Sequence, residues 1–419
     1  MAAIHGKVGD LAKFRLAQEE LEGTLLESAD STVALVKLAS GYNIGIPKEH
    51  VLASRVLKRA SEETKHQPVP QHTGLPSIGL VVTGGTIAAK LNPKTGGASW
   101  LTDVGELARF YPDLFERVHV KNLNVPFMTS SEAMTSEHWI AIAKAVKEML
   151  DDTEIRGVIV THGTDFLHYT AAALSYFLPN VPKPVVLTYS QRSIDRASSD
   201  AHLNLQCAAT MALSDAAEIM LVGHATINDD YCYALRGTKV RKLHSSRRDA
   251  FQPVNTEPLA KVWPDRLEFL ESYRKRSSEK PVLDTAFTDK VALVKFYPGQ
   301  DASILDFYAL KYKGVVIEVG GLGHLPPNEA KHNWVPALKK HIRQGFVVCA
   351  AAQTTYGRLD PYVYSNGREL VDAGVIFLED MLPETALVKL GFVLGHYGWK
   401  GKIKEKMLEN IAGELNPRL

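Results

Sequence analysis

The chain has 419 residues, 45% of them hydrophobic and 23% charged, the balance of a soluble protein too large for a single hydrophobic core. Its formal charge of +1 at pH 7 supplies no global field for a polyanion, so composition does not nominate nucleic acid as a ligand. No stretch approaches the roughly 20 apolar residues that cross a bilayer, and the opening MAAIHGKVGDLAKF has no apolar signal core. The expected location is the cytoplasm, and Cys207, Cys232 and Cys349, which lack CxxC spacing, read as buried small apolar residues.

In chain order, the runs GTLLES, VALVKL and NIGI are strand-like and separated by polar turns at 28–31 and at Gly41. They predict a small β-barrel or sheet module over residues 1–60. A polar stretch follows, with Pro68, Pro70 and Pro76, and reads as a linker over 61–77. From Ile78 onward apolar strands alternate with helices (IGLVV, VIV from Val158, PVVLTY from Pro184, EIMLVGHA from Glu218), the pattern of βαβ units and a parallel sheet. A helix over Ser136 to Leu150 is predicted to bury Trp139, Ile142, Ala143, Val146 and Met149 on one face. A second helix, after Thr164, is predicted to bury Phe166, Tyr169, Thr170, Ala173, Leu174 and Phe177. The charged run EFLESYRKRSSEK, from Glu268 to Lys280, separates a domain over 78–280 from a second over 281–419, whose strands are VALVKFY, GVVIEV and FVVCAA. The fold class is therefore α/β, with two domains after the small β module.

Two motifs carry the chemistry: TGGTIAAK, from Thr83, and THGTD, from Thr161. Each sets a threonine, Thr86 or Thr164, just after an apolar strand, where a helix is expected to begin and where open α/β sheets place their ligands. TGGTIAAK is no phosphate loop, because Lys90 is followed by Leu91 and the G-x-G-x-x-G spacing is absent. Gly84 and Gly85 supply tight turning and N–H groups beside the Thr86 hydroxyl, which suits an oxyanion; a helix-capping threonine is the plainer alternative. In THGTD, Asp165 either stabilises a helix N-terminus or takes part in catalysis. A hydroxyl nucleophile needs a base and a group that orients the base, and a buried lysine paired with an aspartate fills both roles. KVRKLHSSRRDAF offers Lys239 and Lys242 for that task, and by composition alone either is an ordinary surface charge. The fifteen histidines show no HExxH or comparable spacing, so no catalytic metal is expected.

From about Ile78 to the C-terminus the chain resembles the L-asparaginase family, through TGGTI and THGTD. Within it the chain is most similar to the D-subunit branch of archaeal glutamyl-tRNA(Gln) amidotransferases, through GYNIGI, SSDAHLNLQCA, RGTKVRKLHSSRRDAF and EDMLPETALVKL. The resemblance implies a two-domain asparaginase-like fold with Thr86 as catalytic threonine and Thr164, Asp165 and Lys242 as its partners. It also implies Ser131 and Glu132 as the grip on the substrate's α-amino and α-carboxylate groups, and Gly85 and Gly163 as backbone oxyanion donors. Free asparaginases carry a tyrosine on the loop after the first motif, and LNPKTGGASW has none. The implied activity is ammonia release from glutamine or asparagine for the conversion of Glu-tRNA(Gln) to Gln-tRNA(Gln). No cofactor is expected on this chain. ATP and magnesium would sit on a partner, the amidotransferase's E-subunit, which also makes the main tRNA contacts, in a heterotetramer of two copies of each chain built on a homodimer of this one. The alternatives are a free cytosolic asparaginase with an extra N-terminal domain and an RNA-binding scaffold using the N-terminal module and the Arg236 to Arg248 run.

Overall fold

The computed structural model describes residues 4–417 apart from 27, 29, 40–42, 60–73, 92–97, 102–103, 195 and 197. Gly41, most of the predicted linker and most of the LNPKTGGASW loop lie outside the described residues.

The N-terminal module is a five-stranded antiparallel sheet. Its strands β1 (Leu11–Arg15), β2 (Glu20–Leu26), β3 (Val33–Leu38), β4 (Asn43–Pro47) and β5 (Ala53–Lys58) lie in the order β4-β3-β2-β1-β5. Alternation sets the inner face: Ala12 and Phe14 on β1, and Ala34 and Val36 on β3, are buried in a core of their own. Three of these strands coincide with GTLLES, VALVKL and NIGI. The flanking strands, LAKFR and ASRVLK, are short and polar enough to give no comparable signal.

An eight-stranded sheet follows. It contains β6 (Ser77–Val82), β9 (His119–Asn124), β10 (Ile155–Thr161), β11 (Val185–Thr188), β12 (Ile219–His224), β13 (Cys232–Arg236), β16 (Ala260–Val262) and β17 (Leu267–Phe269), in the order β17-β16-β13-β12-β11-β10-β6-β9. Beside it stand two ribbons, β7 (Ala89–Leu91) with β8 (Ala98–Trp100), and β14 (Val240–Lys242) with β15 (Phe251–Pro253). The five strands from β9 to β12 pair in parallel, but β13, β16 and β17 are antiparallel, so the expected parallel sheet is mixed. The link from His224 to Cys232 is too short for a crossover helix and turns the chain back as a hairpin.

Successive residues of β10 feed opposite cores. Ile159 packs with Leu80, Val186 and Met220 on one face, and Val158 and Val160 pack with Val81, Val185 and Leu221 on the other. One face is covered by helix α5 (Ala201–Leu213), the other by α3 (Ser136–Asp151) and α4 (Leu167–Phe177), which is why these strands read as continuous apolar runs. Helices α1 (Val104–Phe110) and α2 (Pro112–Phe115) contribute Leu107, Leu114 and Phe115 to the core shared with α5. The C-terminal unit is a parallel sheet of β18 (Val291–Lys295), β19 (Gly314–Val319), β20 (Val347–Ala352) and β21 (Ile376–Phe377), with helices α6 (Ile304–Lys311), α7 (Val335–Arg343), α8 (Ser365–Ala373), α9 (Pro383–Gly395) and α10 (Ile403–Leu408).

Helix α3 buries Ile142, Ala143, Val146 and Met149 as its periodicity predicts, while Trp139, near its start, is only half-buried. Helix α4 does not follow the one-face prediction: His168 and every residue from Thr170 to Phe177 is buried, while Phe166, just outside the helix, is exposed. The cause is α9, which lies across α4 with Phe392 stacked on Tyr176 at 5.7 Å and leaves α4 no solvent face.

Candidate active site

The first motif leaves β6 at Thr83, whose hydroxyl donates to Thr161 O at 2.8 Å, while Thr83 O accepts from Thr129 N at 3.1 Å. The chain then turns through Gly84 (φ 120°) and Gly85 (φ 81°). A side chain is impossible at either: a Cβ on Gly84 would lie 2.4 Å from Thr129 O, and one on Gly85 2.5 Å from Gly163 N. Gly85 therefore rests directly on Gly163, so the two threonines that follow them in sequence, Thr86 and Thr164, each leave this contact. Thr86 opens a single 3₁₀ turn, Thr86–Ala88, before β7, rather than the helix expected there. Buried Ile87 and Ala88 anchor that turn, and Ile87 O accepts from the Tyr111 hydroxyl at 2.6 Å.

The second motif leaves β10 and enters α4. His162 is fully buried, with Nδ1 2.7 Å from Gly163 O and Nε2 2.9 Å from the Thr170 hydroxyl. A carbonyl only accepts, so Nδ1 carries the proton and Nε2 accepts from Thr170. Burial pushes the His162 pKa down to about 4, which keeps the ring neutral and the Gly163 carbonyl fixed. His168 is similarly lowered, to about 3, first by burial and then by the nearby cations Arg241 and Lys242.

Lys242 ends β14. Its Nζ donates to Thr164 Oγ1 at 2.9 Å and to Asp165 Oδ1 at 2.7 Å, and the Thr164 hydroxyl lies 3.3 Å from the same carboxylate oxygen. The lysine side chain is 9% exposed and that of Asp165 62%, so the Lys242 nitrogen sits inside and the carboxylate faces solvent. The Lys242 hydrogen bond is the main reason the Asp165 carboxyl is held below its ordinary pKa. Lys239, the other candidate, is buried and turned away onto Asp380 at 2.6 Å.

Ser131 opens a 3₁₀ turn, Ser131–Ala133, and is buried. Its Oγ would lie 3.2 Å from a Cβ on Gly163, and it accepts from Phe166 N at 3.3 Å. The neighbouring Glu132 is exposed. Thr86, Thr164, Asp165, Lys242, Ser131, Gly85 and Gly163 are thus gathered at the ends of β6 and β10. His162 and the cross-domain partners of β14 were not anticipated, since a lone histidine inside a motif carries no spacing signal. SSDAHLNLQCA has a local structural part: Asp200 accepts from the backbone N–H of Gln191 and Arg192, and Asn204 bridges Tyr189 O and His224.

The run from Arg236 to Arg248 is not a free polycation. Arg236, Lys239, Arg241, Lys242, Arg247 and Arg248 pair with Glu218, Asp380, Glu384, Asp165, Asp249 and Asp229 respectively. Among the described residues, no group of three or more histidine, cysteine, aspartate or glutamate side chains is placed to hold a metal ion, and no helix is long and apolar enough to cross a membrane.

Three family models match the chain in succession: GatD N-terminal domain over residues 7–57, asparaginase N-terminal over 77–275, and glutaminase/asparaginase C-terminal domain over 290–407. The thermostable L-asparaginase of Thermococcus kodakarensis superposes with a TM-score of 0.74 at 30% identity, covering 82% of this chain and 100% of that one. The D-subunit of glutamyl-tRNA(Gln) amidotransferase from the same organism is 44% identical over 98% of this chain and 94% of its own. Its counterpart in Pyrococcus abyssi is 47% identical over 93% and 89%. With that identity sustained across almost the whole length, the chain belongs to the D-subunit family of glutamyl-tRNA(Gln) amidotransferases.

Proposed function

We propose that this chain is the ammonia-releasing subunit of a tRNA-dependent amidotransferase. It would hydrolyse the side-chain amide of glutamine, or of asparagine, and hand the ammonia to a partner that converts Glu-tRNA(Gln) to Gln-tRNA(Gln). The observation that carries this reading is Lys242 held within hydrogen-bond reach of both Thr164 and Asp165, beside a glycine turn that delivers Thr86. With Lys242 as the free amine, Thr86 Oγ attacks the amide carbon, and its proton leaves through Thr164 to the Lys242 nitrogen, where Asp165 stabilises the ammonium that forms. The proton passes to the departing nitrogen, ammonia leaves, and water then hydrolyses the acyl-enzyme to the amino acid. Ser131 and Glu132 bind the α-carboxylate and α-amino ends of the substrate, and N–H groups at Gly85 and Gly163 face the developing oxyanion.

A second reading makes Thr164 the nucleophile. In its favour, Lys242 donates to Thr164, and no hydrogen bond joins it to Thr86 among the described residues. Mass spectrometry of the trapped acyl-enzyme separates the two, because the label stays on the threonine that attacked.

ATP and magnesium belong to the partner, the amidotransferase's E-subunit, which also takes the main tRNA contacts, in an assembly of two copies of each chain in the cytoplasm. The missing tyrosine after the first motif suits a chain that turns over quickly only when an acceptor is present. Thr86→Ala and Lys242→Ala are expected to lower ammonia release by on the order of 10² to 10⁴ or more with native circular dichroism. Undiminished activity in a folded Lys242→Ala chain would refute the assignment.

A further inference from the structure

Lys242 enters the site from a strand of only three residues, β14, whose sheet partner is the equally short β15. What fixes its position lies in the C-terminal domain, in the segment 380–385. Thr238 O accepts from the Thr385 hydroxyl at 3.0 Å, Lys239 Nζ meets Asp380 Oδ2 at 2.6 Å, and Arg241 Nη2 meets Glu384 Oε1 at 2.8 Å. Three of the four residues leading into Lys242 are therefore held by one segment. The Lys239 and Asp380 side chains are 1% and 4% exposed.

Asp380 is itself pinned. Its Oδ1 accepts from Asn416 N at 3.1 Å and from Arg358 at 3.3 Å, and its carbonyl accepts from Asn255 Nδ2 at 3.2 Å. Asn255 follows β15 by two residues and also exchanges two hydrogen bonds with Gly357, at 2.9 and 3.0 Å. Asn255 (φ 56°) and Glu379 (φ 54°) both adopt the left-handed backbone that side-chain-bearing residues rarely take, a cost that persists where the surroundings dictate the geometry. Both strands of the hairpin bearing Lys242 thus end on the same C-terminal platform. An ion pair this dry is a weak source of net stability, because desolvation offsets most of its attraction, but it sets position sharply.

We infer that Lys239, Asp380 and Thr385 are positioning residues that set the reach of Lys242 to Thr164 and Asp165, so that the C-terminal domain governs proton transfer in a site otherwise built by the preceding domain. This rests on Lys242 being the proton acceptor. The test is steady-state ammonia release from glutamine by the full chain, under conditions in which the wild type turns over. The double variant Lys239→Met with Asp380→Asn removes the ion pair while keeping an acceptor oxygen for Asn416 N and Arg358. It is expected to keep its unfolding midpoint and its KM within a few-fold while kcat falls roughly 10- to 100-fold, the scale of an ångström's misplacement of a catalytic group. Thr385→Val, which deletes one neutral hydrogen bond, should move kcat in the same direction by less. A merely structural role would change the folded fraction or the midpoint and leave kcat per folded molecule untouched.

Wild-type kcat in the folded double variant and in Thr385→Val, beside an inactive Lys242→Ala, would overturn the positioning role and spare the mechanism. A fully active Lys242→Ala would overturn both. If the double variant does not fold, Thr385→Val decides alone: an unchanged kcat there counts against the inference.

Discussion

His162 shows how a single buried ring sets the geometry of the turn that follows β10. Its proton goes to Gly163 O and its lone pair to Thr170, so the ring serves only while neutral. The folded pKa of about 4 lies below the ordinary 6.5. Between those values the unfolded chain binds a proton that the native chain refuses, so stability is complete above pH 6.5 and falls as pH drops toward 4. From pH 7 to pH 5 this ring alone removes about 2 kcal/mol. Denaturant unfolding at the two pH values should show His162→Gln losing that much less than the wild type, and an identical loss in both would contradict the assignment. Asp165 works in the same sense at lower pH: its depressed pKa preserves the pair with Lys242 until pH falls below the ordinary carboxylate range.

At the level of elements, the site exists because two strand ends touch through two glycines. Gly85→Ala would strain a backbone at φ 81° and drive a Cβ to 2.5 Å from the Gly163 nitrogen. The expected cost is about 3 kcal/mol or more together with loss of turnover, measured as the shift of the urea midpoint and the ammonia rate. An unchanged midpoint would mean that the two motifs do not abut. Much of this was legible beforehand: TGGT and THGTD sit at the ends of apolar runs, and glycine beside threonine announces a tight turn with a free hydroxyl. The 3₁₀ turn after Thr86 was not legible, since TIAAK is as good a helix start as a turn by local propensity. Nor was the burial of α4 on all sides, which α9 imposes from more than 200 residues away. Choosing between Lys239 and Lys242 illustrates the limit of local reading. Both lie in one charged run, and only tertiary structure sends Lys239 to Asp380 and Lys242 to Thr164.

For the whole molecule, an asparaginase-like body lies downstream of a five-stranded module that has its own core. The paired cations between Arg236 and Arg248 leave no bare basic run there for a phosphate backbone, which weighs against an RNA scaffold built on that segment. A chain that makes ammonia for another active site gains nothing from hydrolysing glutamine when no acceptor waits, and the absent tyrosine after the first motif accords with a site assembled fully only in the complex. The central claim is tested most directly by ammonia release from glutamine by the purified chain, alone and then with the amidotransferase's E-subunit, ATP, magnesium and glutamyl-tRNA(Gln). A rate that rises only in the full mixture, and vanishes there with Lys242→Ala, is the predicted result. A rate already maximal for the lone chain, and higher on asparagine, would contradict it and mark the chain as a free asparaginase.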